Sequence, residues 1–348
     1  MSGANPRRQD GSLLSNLKRY LPGMLLLLIC AELAWVVGPA VPVLNRLLAG
    51  ILIGVILSNL IGIPEWASNG LESHKIWLGS AIVLMGASLT VSTVVESGFY
   101  VLLLVLLSTS FTVLFVEAFT RCFYPVDQKL GSLLAAGSSI CGVSAVVAIA
   151  GSIQAREEHI AYAAGTILLF DAITLVVYPA VGNLLSLPDR LFGIWAGVSM
   201  FSTGPVVAVG FTYSETAGKW ATLTKLTRNT LIGVLAVGYA VYYTHNRLSE
   251  SDRVDGVNVR ELWTRFPKFV IGFLCFMVLS SADLFTVEQL RTVEHAYNWL
   301  FLVAFVGLGT ELRLSELRRA GVRPVLIVLS TWLTLSLLSL AAISAVLS

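Results

Sequence analysis

Long apolar blocks separated by short polar links run through almost the whole chain. Eleven of these blocks reach or approach the ~20 residues that an α-helix needs to cross the ~30 Å of hydrocarbon in a bilayer. They are centred in residues 21–38, 43–62, 76–93, 99–120, 130–152, 159–185, 190–211, 220–243, 266–282, 296–311 and 324–346. The pattern predicts an all-α polytopic membrane protein with about eleven transmembrane helices. Residues 1–20 are expected to form a cytoplasmic N-terminal segment, and residues 21–348 a single transmembrane domain.

Two of the blocks contain residues that weaken a helix. Residues 137–151 read GSSICGVSAVVAIAG, and residues 197–210 read GVSMFSTGPVVAVG. In hydrocarbon, an interrupted backbone is stable only where protein or a water-filled cavity satisfies its freed N–H and C=O groups. Such interruptions are typical of the substrate site of a secondary transporter. We therefore expect helix breaks in both segments.

Composition and charge favour a membrane location. Hydrophobic residues make up 56% of the chain and charged residues 13%, which is far from the balance of a soluble domain. With the N-terminus inside, alternate links place 17 basic residues inside and 4 outside, and Lys225 and Arg228 within a span complete the 23. The four outer residues are Arg46, Arg156, Lys219 and Arg291. The distribution predicts that the N-terminus lies in the cytoplasm and the C-terminus outside. We expect the protein to be located in a bacterial inner membrane. The net charge of +2 suggests no nucleic-acid partner.

Enzymatic motifs are not found in the sequence. The cysteines lack C-x-x-C spacing, the histidines lack a metal-binding spacing, and no G-x-x-x-x-G-K-[ST] loop for nucleotide phosphates occurs. The serines have no paired histidine and acid at the same depth. We expect neither catalysis nor a metal or cofactor.

Two internal echoes indicate repeats. Gly86, Leu89, Ser92, Val94 and Gly98 match Gly309, Leu312, Ser315, Leu317 and Gly321 at the same offset. On the predicted topology these copies run in opposite directions, as in an inverted repeat. The weaker echo joins residues 144–148 to residues 204–208. Its two spans would be parallel unless a crossing is miscounted or one segment is re-entrant.

Candidate chemistry concentrates around the first interrupted segment. Asp171 lies near the centre of the sixth span, where a carboxylate is costly unless it is paired, protonated or hydrated. It is a candidate proton carrier, and a buried acid that ties two helices together is the alternative. Lys225 and Arg228 share a helix face and could bind an anion together with a helix N-terminus. Snorkelling to the surface is the alternative, and it suits Lys225 better.

Small polar groups complete the candidate anion site. Ser138, Ser139, Cys141, Gly142 and Ser144 offer hydroxyl, thiol and backbone donors without charge. Close helix packing by small residues is the alternative explanation for the serines.

Several stretches resemble the YeiH-type sulfate exporter family over nearly the whole chain. They are GSSICGVSAVVA from residue 137, Tyr178-Pro179, Lys225-Leu-Thr-Arg228, and GLGTELRLSELRRAGVRP near the C-terminus. The resemblance implies a bile-acid-symporter or sodium–proton-antiporter type architecture, with two helical bundles, two interrupted helices crossing near the midplane, and a small anion as substrate.

The chain also departs from that family. Phe201 and Ser202 stand where the resemblance leads one to expect a His-Glu pair, Pro205 replaces a glutamine, and Ser88 replaces an arginine. If those positions bind or couple in relatives, this protein handles a different ligand or driving ion.

The sequence thus favours a secondary transporter that exports or exchanges a small, sulfate-like anion by alternating access. One alternative is a sodium- or proton-coupled uptake carrier of an organic acid, and another is a membrane sensor or anchor without transport. The expected partners are the anion, a coupling proton or sodium ion, and the lipid bilayer. The sequence does not determine the oligomeric state, and a homodimer is one of the alternatives.

Overall fold

The computed structural model describes residues 13–40, 46–89, 91–247, 268–313 and 321–347, and within them the regular elements are helices. They are α1 (Leu13–Ala40), α2 (Arg46–Ile56), α3 (Glu65–Leu71), α4 (His74–Met85), α5 (Val91–Cys122), α6 (Gln128–Ser139), α7 (Val143–Ile153), α8 (Glu157–Leu184), α9 (Asp189–Ser199), α10 (Thr203–Tyr213), α11 (Glu215–Asn229), α12 (Ile232–Arg247), α13 (Phe269–Ser281), α14 (Val287–Glu311) and α15 (Val322–Leu347). The all-α prediction is confirmed over these ranges.

Four helices are long and apolar enough to cross a membrane. The candidate spans are Arg19–Ala40, Gly98–Cys122, Glu157–Leu184 and Val322–Val346, in α1, α5, α8 and α15. Large apolar side chains on these helices point outward, as a lipid environment requires, and Val176 is 71% exposed. The remaining spans of the predicted eleven stay a prediction, except for two that the structure corrects.

The predicted break in residues 137–151 is confirmed, because residues 140–142 separate α6 from α7. The chain reverses there. A Cβ on Gly137 would lie 2.9 Å from Val146 Cγ2, and at the other end of the two helices Lys129 Nζ donates to the Gln154 carbonyl at 2.7 Å. An uninterrupted helix would hold residues 129 and 154 ~37 Å apart. Residues 128–153 therefore form a helical hairpin, here called hairpin 1.

The second interrupted segment is also a hairpin. Residues 200–202 separate α9 from α10, as predicted. Near its open end the rings of Phe192 and Tyr213 stack with centroids 3.8 Å apart. The Tyr213 hydroxyl also donates to the Leu187 carbonyl at 2.7 Å. Residues 189–213 are called hairpin 2.

These reversals correct the predicted topology. Blocks 130–152 and 190–211 are not crossings, because each hairpin returns to the side on which it begins. Arg156 lies 3.8 Å from Asp127 at the open end of hairpin 1, so it lies on the same side as the start of that hairpin. Arg190 lies over the Trp220 ring, 4.5 Å from its centroid, at the open end of hairpin 2. On the predicted orientation, Arg156 therefore moves to the inner side and Arg190 to the outer side. The two exchanges cancel, and the number of crossings stays odd. The predicted orientation of the termini is therefore unchanged.

The hairpins approach from opposite ends of α8. The open end of hairpin 1 lies at the start of α8, where His159 Nδ1 is 3.5 Å from Asp127. The open end of hairpin 2 lies at the end of α8, where Tyr213 donates to the Gly182 carbonyl at 3.3 Å. Segments 144–148 and 204–208 occupy the same place in the second arm of each hairpin. The echo between them is thus compatible with inverted repeats.

The longer repeat is seen only in part, because Ser315 and Leu317 lie outside the described residues. Its first glycines are both sites of close helix packing. A Cβ on Gly86 would lie 3.1 Å from the carbonyl carbon of Phe273 in α13, and one on Gly309 would lie 3.0 Å from Gly54 Cα in α2. In the predicted order, the spans that carry Gly86 and Gly309 are seven apart. The helices they pack against, α13 and α2, are also seven apart, as expected for two copies of one unit.

The chain forms two compact units. The first comprises Met1–Leu78 and Leu302–Glu311, and the second comprises Gly79–Phe301 and Leu312–Ser348. In the first unit, α1 and α3 touch through Gly23 and Gly70, and Lys75 pairs with Glu311 at 2.8 Å. The second unit contains both hairpins together with α8, α11, α12 and α15. The assignment of residues 21–348 to one domain stays a prediction.

Candidate functional site

The tips of the two hairpins touch each other inside the second unit. Gly142 in the tip of hairpin 1 has φ +68°, a backbone conformation that suits glycine. A Cβ at this position would collide with Ser202 Oγ and lie 3.0 Å from Ser202 Cβ in the tip of hairpin 2. Four helix ends therefore meet at one place: the C-termini of α6 and α9 and the N-termini of α7 and α10.

Lys225 neutralises carbonyl groups from both tips. Its side chain in α11 is fully buried, and its ammonium group donates to the carbonyls of Ile140 (2.6 Å), Met200 (3.0 Å) and Phe201. An ammonium group has three donors, and these three contacts use them all. The carbonyls lie at the C-terminal ends of α6 and α9, where helix dipoles place partial negative charge.

Arg228 acts in the same way one helical turn further on. The fully buried guanidinium donates to the carbonyls of Ser138 (2.6 Å), Val198 (2.6 Å), Met200 (2.9 Å) and Ser139. The two cations thus join the last carbonyls of the first arm of each hairpin. Snorkelling does not describe either side chain. Direct anion binding by Lys225 and Arg228 stays a prediction.

Asp171 contacts the tip of hairpin 2 from near the centre of α8. The residue is 1% exposed, and its Oδ1 accepts a hydrogen bond from the Ser202 backbone N–H at 3.1 Å. This N–H lies at the N-terminus of α10, where a carboxylate is favourable. The predicted acid thus lies at the site, and it ties two elements together as the structural alternative requires. Its role as proton carrier stays a prediction.

The N-termini of α7 and α10 form the accessible part of the site. Neither Gly142 nor Ser202 caps its helix with a side chain. The first N–H groups of a helix have no partner within the helix. Ser144 is exposed, and Ser202 and Thr203 are partly exposed, whereas the cations behind them are buried. The tips therefore present N–H and hydroxyl donors on their open side.

The other predicted residues of hairpin 1 are buried. Ser138 and Ser139 are fully buried and contribute their carbonyls to Arg228. The Ser139 hydroxyl donates to the Ala136 carbonyl at 3.3 Å, and within the described residues the Ser138 hydroxyl makes no hydrogen bond. Cys141 is also buried. Among the predicted donors of hairpin 1, Ser144 is the exposed one.

The sequence analysis missed Asn229 and Thr203. Asn229 is 3% exposed, and its Nδ2 donates to Thr203 Oγ1 at 3.0 Å at the start of α10, while within the described residues its Oδ1 has no partner. Asn229 follows Arg228 directly. The charge of Arg228 indicated this part of α11, but the neutral amide of Asn229 gave no such signal. The missed break at residues 230–231 separates α11 from α12 just after it.

A buried hydrogen-bond network holds the first arm of hairpin 2. The Tyr178 hydroxyl in α8 donates to Ser199 Oγ at 2.7 Å, and Trp332 Nε1 in α15 donates to the same hydroxyl at 3.2 Å. Trp195 stacks on Tyr178 with centroids 4.2 Å apart. The Tyr178-Pro179 pair of the family resemblance therefore fixes the helix end that carries the Val198 and Met200 carbonyls. Aromatic residues in apolar spans gave no signal for this role.

The positions that depart from the YeiH pattern lie at the same tip. Phe201 and Ser202 fall in the break, and Pro205 is in the first turn of α10. Phe201 is fully buried and packs edge-on against Phe170, with centroids 6.2 Å apart. The expected His-Glu pair would have brought ionisable groups here. The ionisable groups described at this break are instead Asp171, Lys225 and Arg228, which reach it from α8 and α11.

Hairpin 1 is anchored at its open end by Glu117. This carboxylate accepts from Ser132 Oγ at 2.7 Å and from the Tyr239 hydroxyl at 2.8 Å, and it pairs with Arg121 at 2.8 Å. The anchor joins α5, hairpin 1 and α12.

Fold and site together define a helical membrane protein whose polar centre is made of two hairpin tips. The model of a family described as Conserved hypothetical protein 698 matches residues 22–328, and the chain belongs to this family. It is 31% identical over 311 residues to a UPF0324 membrane protein of Nitratidesulfovibrio vulgaris, with 86% of each chain covered. It is 27% identical over 332 residues to the UPF0324 membrane protein SAG1125 of Streptococcus agalactiae, with 93% of this chain and 96% of the relative covered.

A third relative, the UPF0324 membrane protein spyM18_1033 of Streptococcus pyogenes, is 30% identical over 336 residues, with 93% of this chain and 96% of the relative covered. No solved structure matches the chain. The names of the relatives and the long apolar helices support a membrane location.

Proposed function

We propose that this protein is a secondary transporter that exports or exchanges a small inorganic or organic anion by alternating access. The observation that carries the proposal is the meeting of two oppositely directed hairpins at Gly142 and Ser202, with the N-termini of α7 and α10 on their open side. Non-helical backbone at membrane depth is stable only where protein or water satisfies it, and such places mark transporter substrate sites.

The length of the arms suits a re-entrant arrangement. Each arm has 11 or 12 residues. At 1.5 Å per residue an arm spans ~18 Å, which is about half of the ~30 Å hydrocarbon thickness. Hairpin 1 would enter from the cytoplasmic side and hairpin 2 from outside. Their tips then meet near the midplane, where a substrate can be reached in turn from either side.

The anion is assigned to the N-termini of α7 and α10. Each N-terminus carries roughly half a positive charge, and its N–H groups point at a bound anion. The hydroxyls of Ser144 and Ser202 add neutral donors. Because such a site contacts oxygen atoms by hydrogen bonds, it fits an oxyanion such as sulfate, a sulfonate or a carboxylate.

Lys225 and Arg228 support this site from behind. Their charges balance the negative ends of α6 and α9, so the N-termini of α7 and α10 face the anion without nearby opposing dipoles. Removal of either charge would leave several buried carbonyls without donors. In this arrangement the cations hold the tips together, and the exposed donors bind the substrate.

Asp171 is the proposed coupling group. It accepts from the Ser202 N–H, so it competes with an anion for the N-terminus of α10. Protonation of Asp171 removes its negative charge from the site and favours anion binding, which links proton movement to anion movement. A carboxylate buried at membrane depth near a substrate site is a functional candidate in its own right.

The test is flux in proteoliposomes. The purified protein is reconstituted, and uptake of labelled sulfate, an alkyl sulfonate and a dicarboxylate is followed with a pH gradient, with a sodium gradient, or with counter-anion inside. We expect at least one anion to move faster than in protein-free liposomes, with saturation. The double variant Ser144→Ala with Ser202→Ala should raise the half-saturation concentration for this anion by about tenfold. This increase corresponds to ~1.4 kcal/mol of binding free energy.

A matched control is Ser186→Ala with Thr216→Ala, since both residues are exposed near the open end of hairpin 2, Ser186 in the link before α9 and Thr216 in the first turn of α11. Equal loss in the two pairs would remove the site assignment. Anion movement that occurs only inward, driven by sodium, would favour the organic-acid uptake carrier. No movement of any anion under any gradient would favour a sensor or anchor.

A further inference from the structure

The carbonyl oxygens around Lys225 form a cage suited to a monovalent cation. The carbonyls of Ile140 and Met200 lie 2.6 and 3.0 Å from Lys225 Nζ, and that of Phe201 is also in contact. They come from both hairpin tips, so a cation among them bridges the two elements. The cage is closed, because Lys225 is 0% exposed.

Such oxygen cages are where soluble cations bind in many carriers. Unwound backbone carbonyls and the C-terminal ends of half-helices coordinate Na⁺ in secondary transporters. The same two kinds of group surround Lys225 here. In this chain, however, the cation is covalently attached to α11, and its three donors are used by three carbonyls.

Arg228 supplies a second covalently attached cation at the same helix ends. The Arg228 guanidinium donates to the carbonyls of Ser138, Ser139, Val198 and Met200 at the ends of α6 and α9, and it shares the Met200 carbonyl with Lys225. Lys225 and Arg228 carry two positive charges, and the two helix C-termini carry roughly one negative charge between them. A further Na⁺ at these carbonyls would add charge where it is already in excess.

We propose that the Lys225 ammonium group fills a monovalent-cation site between the hairpin tips, so that the protein neither binds nor needs sodium there. One consequence of this inference, sodium-independent transport, rests on the proposed function. The cation site itself is a property of the folded protein and is measured without any flux.

The experiment compares thermal unfolding of the purified protein in chloride salts of sodium, lithium, ammonium and choline at equal ionic strength. The wild type should unfold at the same temperature in sodium and choline. Lys225→Ala should unfold about 5 °C or more lower in choline, because it leaves the buried carbonyls of Ile140 and Phe201 without this donor and removes one of the two donors of the Met200 carbonyl. Ammonium or sodium should restore part of this loss, since each fits the vacated cage and choline does not.

Lys219→Ala is the matched control, because Lys219 lies on the same helix in an ion pair with Glu215. It should show no difference between sodium or ammonium and choline. A wild type that sodium stabilises over choline, or a Lys225→Ala protein that responds to no small cation, would overturn the proposal.

Direct binding of labelled sodium to the wild type covers the case in which Lys225→Ala does not fold. No saturable binding is expected, and saturable binding of sodium would contradict the assignment. If no anion moves in liposomes, the transport proposal fails, yet these binding and unfolding measurements still decide the cation site.

Discussion

Gly142 determines how closely the hairpin tips approach. Its φ of +68° lies in a region that other residues enter only with strain, and its missing side chain leaves room for Ser202. Both constraints apply to one residue, so the tip-to-tip contact depends on it more than on any of the neighbouring serines.

Gly142→Ala is expected to lower the free energy of unfolding by about 2 kcal/mol or more, because the added Cβ strains the backbone and meets Ser202. Gly238→Ala is the control, since a Cβ there has open space and the residue lies inside α12. Gly238→Ala should raise the free energy of unfolding by about 0.5–1 kcal/mol. Denaturant or thermal unfolding measures both, and effects of the same sign and size would contradict the tip contact.

Asp171→Asn keeps the shape of the side chain and removes its charge. Anion exchange should persist, whereas the acceleration of anion uptake by a pH gradient should be lost. Flux in liposomes with and without the gradient measures the difference. Asp283→Asn is the control, because Asp283 lies in a link at φ 54°, which asparagine also adopts. Gradient dependence that survives Asp171→Asn would exclude Asp171 as the coupling group.

At the scale of residues, the sequence located the chemistry but not its partners. Asp171, Lys225 and Arg228 stand out as ionisable groups in apolar spans, and all three lie at the hairpin tips. Their partners are backbone groups, such as the Met200 carbonyl and the Ser202 N–H. Every residue carries these groups, so no side-chain pattern identifies the ones left open by a helix break.

At the scale of elements, the hairpins could be predicted only in part. Glycine and serine marked where the helices break, and both breaks are found. The direction of the chain after each break could not be predicted, because two arms of 11 or 12 residues have the same length and polarity as one crossing. The contact of Lys129 with Gln154, which shows the reversal, joins residues 25 positions apart.

Side-specific labelling tests the hairpins. Single cysteines replacing Gln128 and Glu158, both exposed at the open end of hairpin 1, should react with an impermeant thiol reagent from the same, cytoplasmic face. Cysteines replacing Ser186 and Thr216 should react from the opposite face. In cells and inverted vesicles, labelling of positions 128 and 158 from opposite faces would restore a crossing and exclude hairpin 1.

The start of α14 offers a pH-dependent contact outside the apolar blocks. The carboxyl of Glu294 bonds to that of Glu215 in α11, and burial together with this acidic neighbour raises the pKa of Glu294. A raised carboxyl pKa means that the folded state favours the protonated form. Its stabilising contribution is therefore complete below the unfolded pKa of ~4.3 and is lost as the pH rises through the folded value.

Glu294→Gln mimics the protonated form at every pH. The variant should unfold at a higher temperature than the wild type at pH 7, and the gap should shrink as the pH falls toward ~4.3. Glu288→Gln, in the exposed first turn of α14, serves as the control and should show no such gap. A gap that is independent of pH would contradict the carboxyl contact.

At the scale of the whole molecule, charge and topology agree after correction. The misplaced Arg156 and Arg190 exchange sides once the hairpins replace two crossings, so the 17-to-4 excess of basic residues on the inner face remains. Several inner residues, including Arg253, Arg260 and Arg319, lie outside the described residues. The orientation therefore rests on the sequence. If it holds, we expect the two hairpins to enter the membrane from opposite faces.

Accessibility of position 144 tests the central claim most directly. Ser144→Cys is placed at the N-terminus of α7 in a background without the exposed Cys122 and Cys275, and an impermeant thiol reagent is applied from each face. The account predicts reaction from both faces, slowed by the anion that the flux measurement identifies. Reaction from one face alone, at a rate that the anion does not change, would contradict an alternating-access site between the hairpin tips.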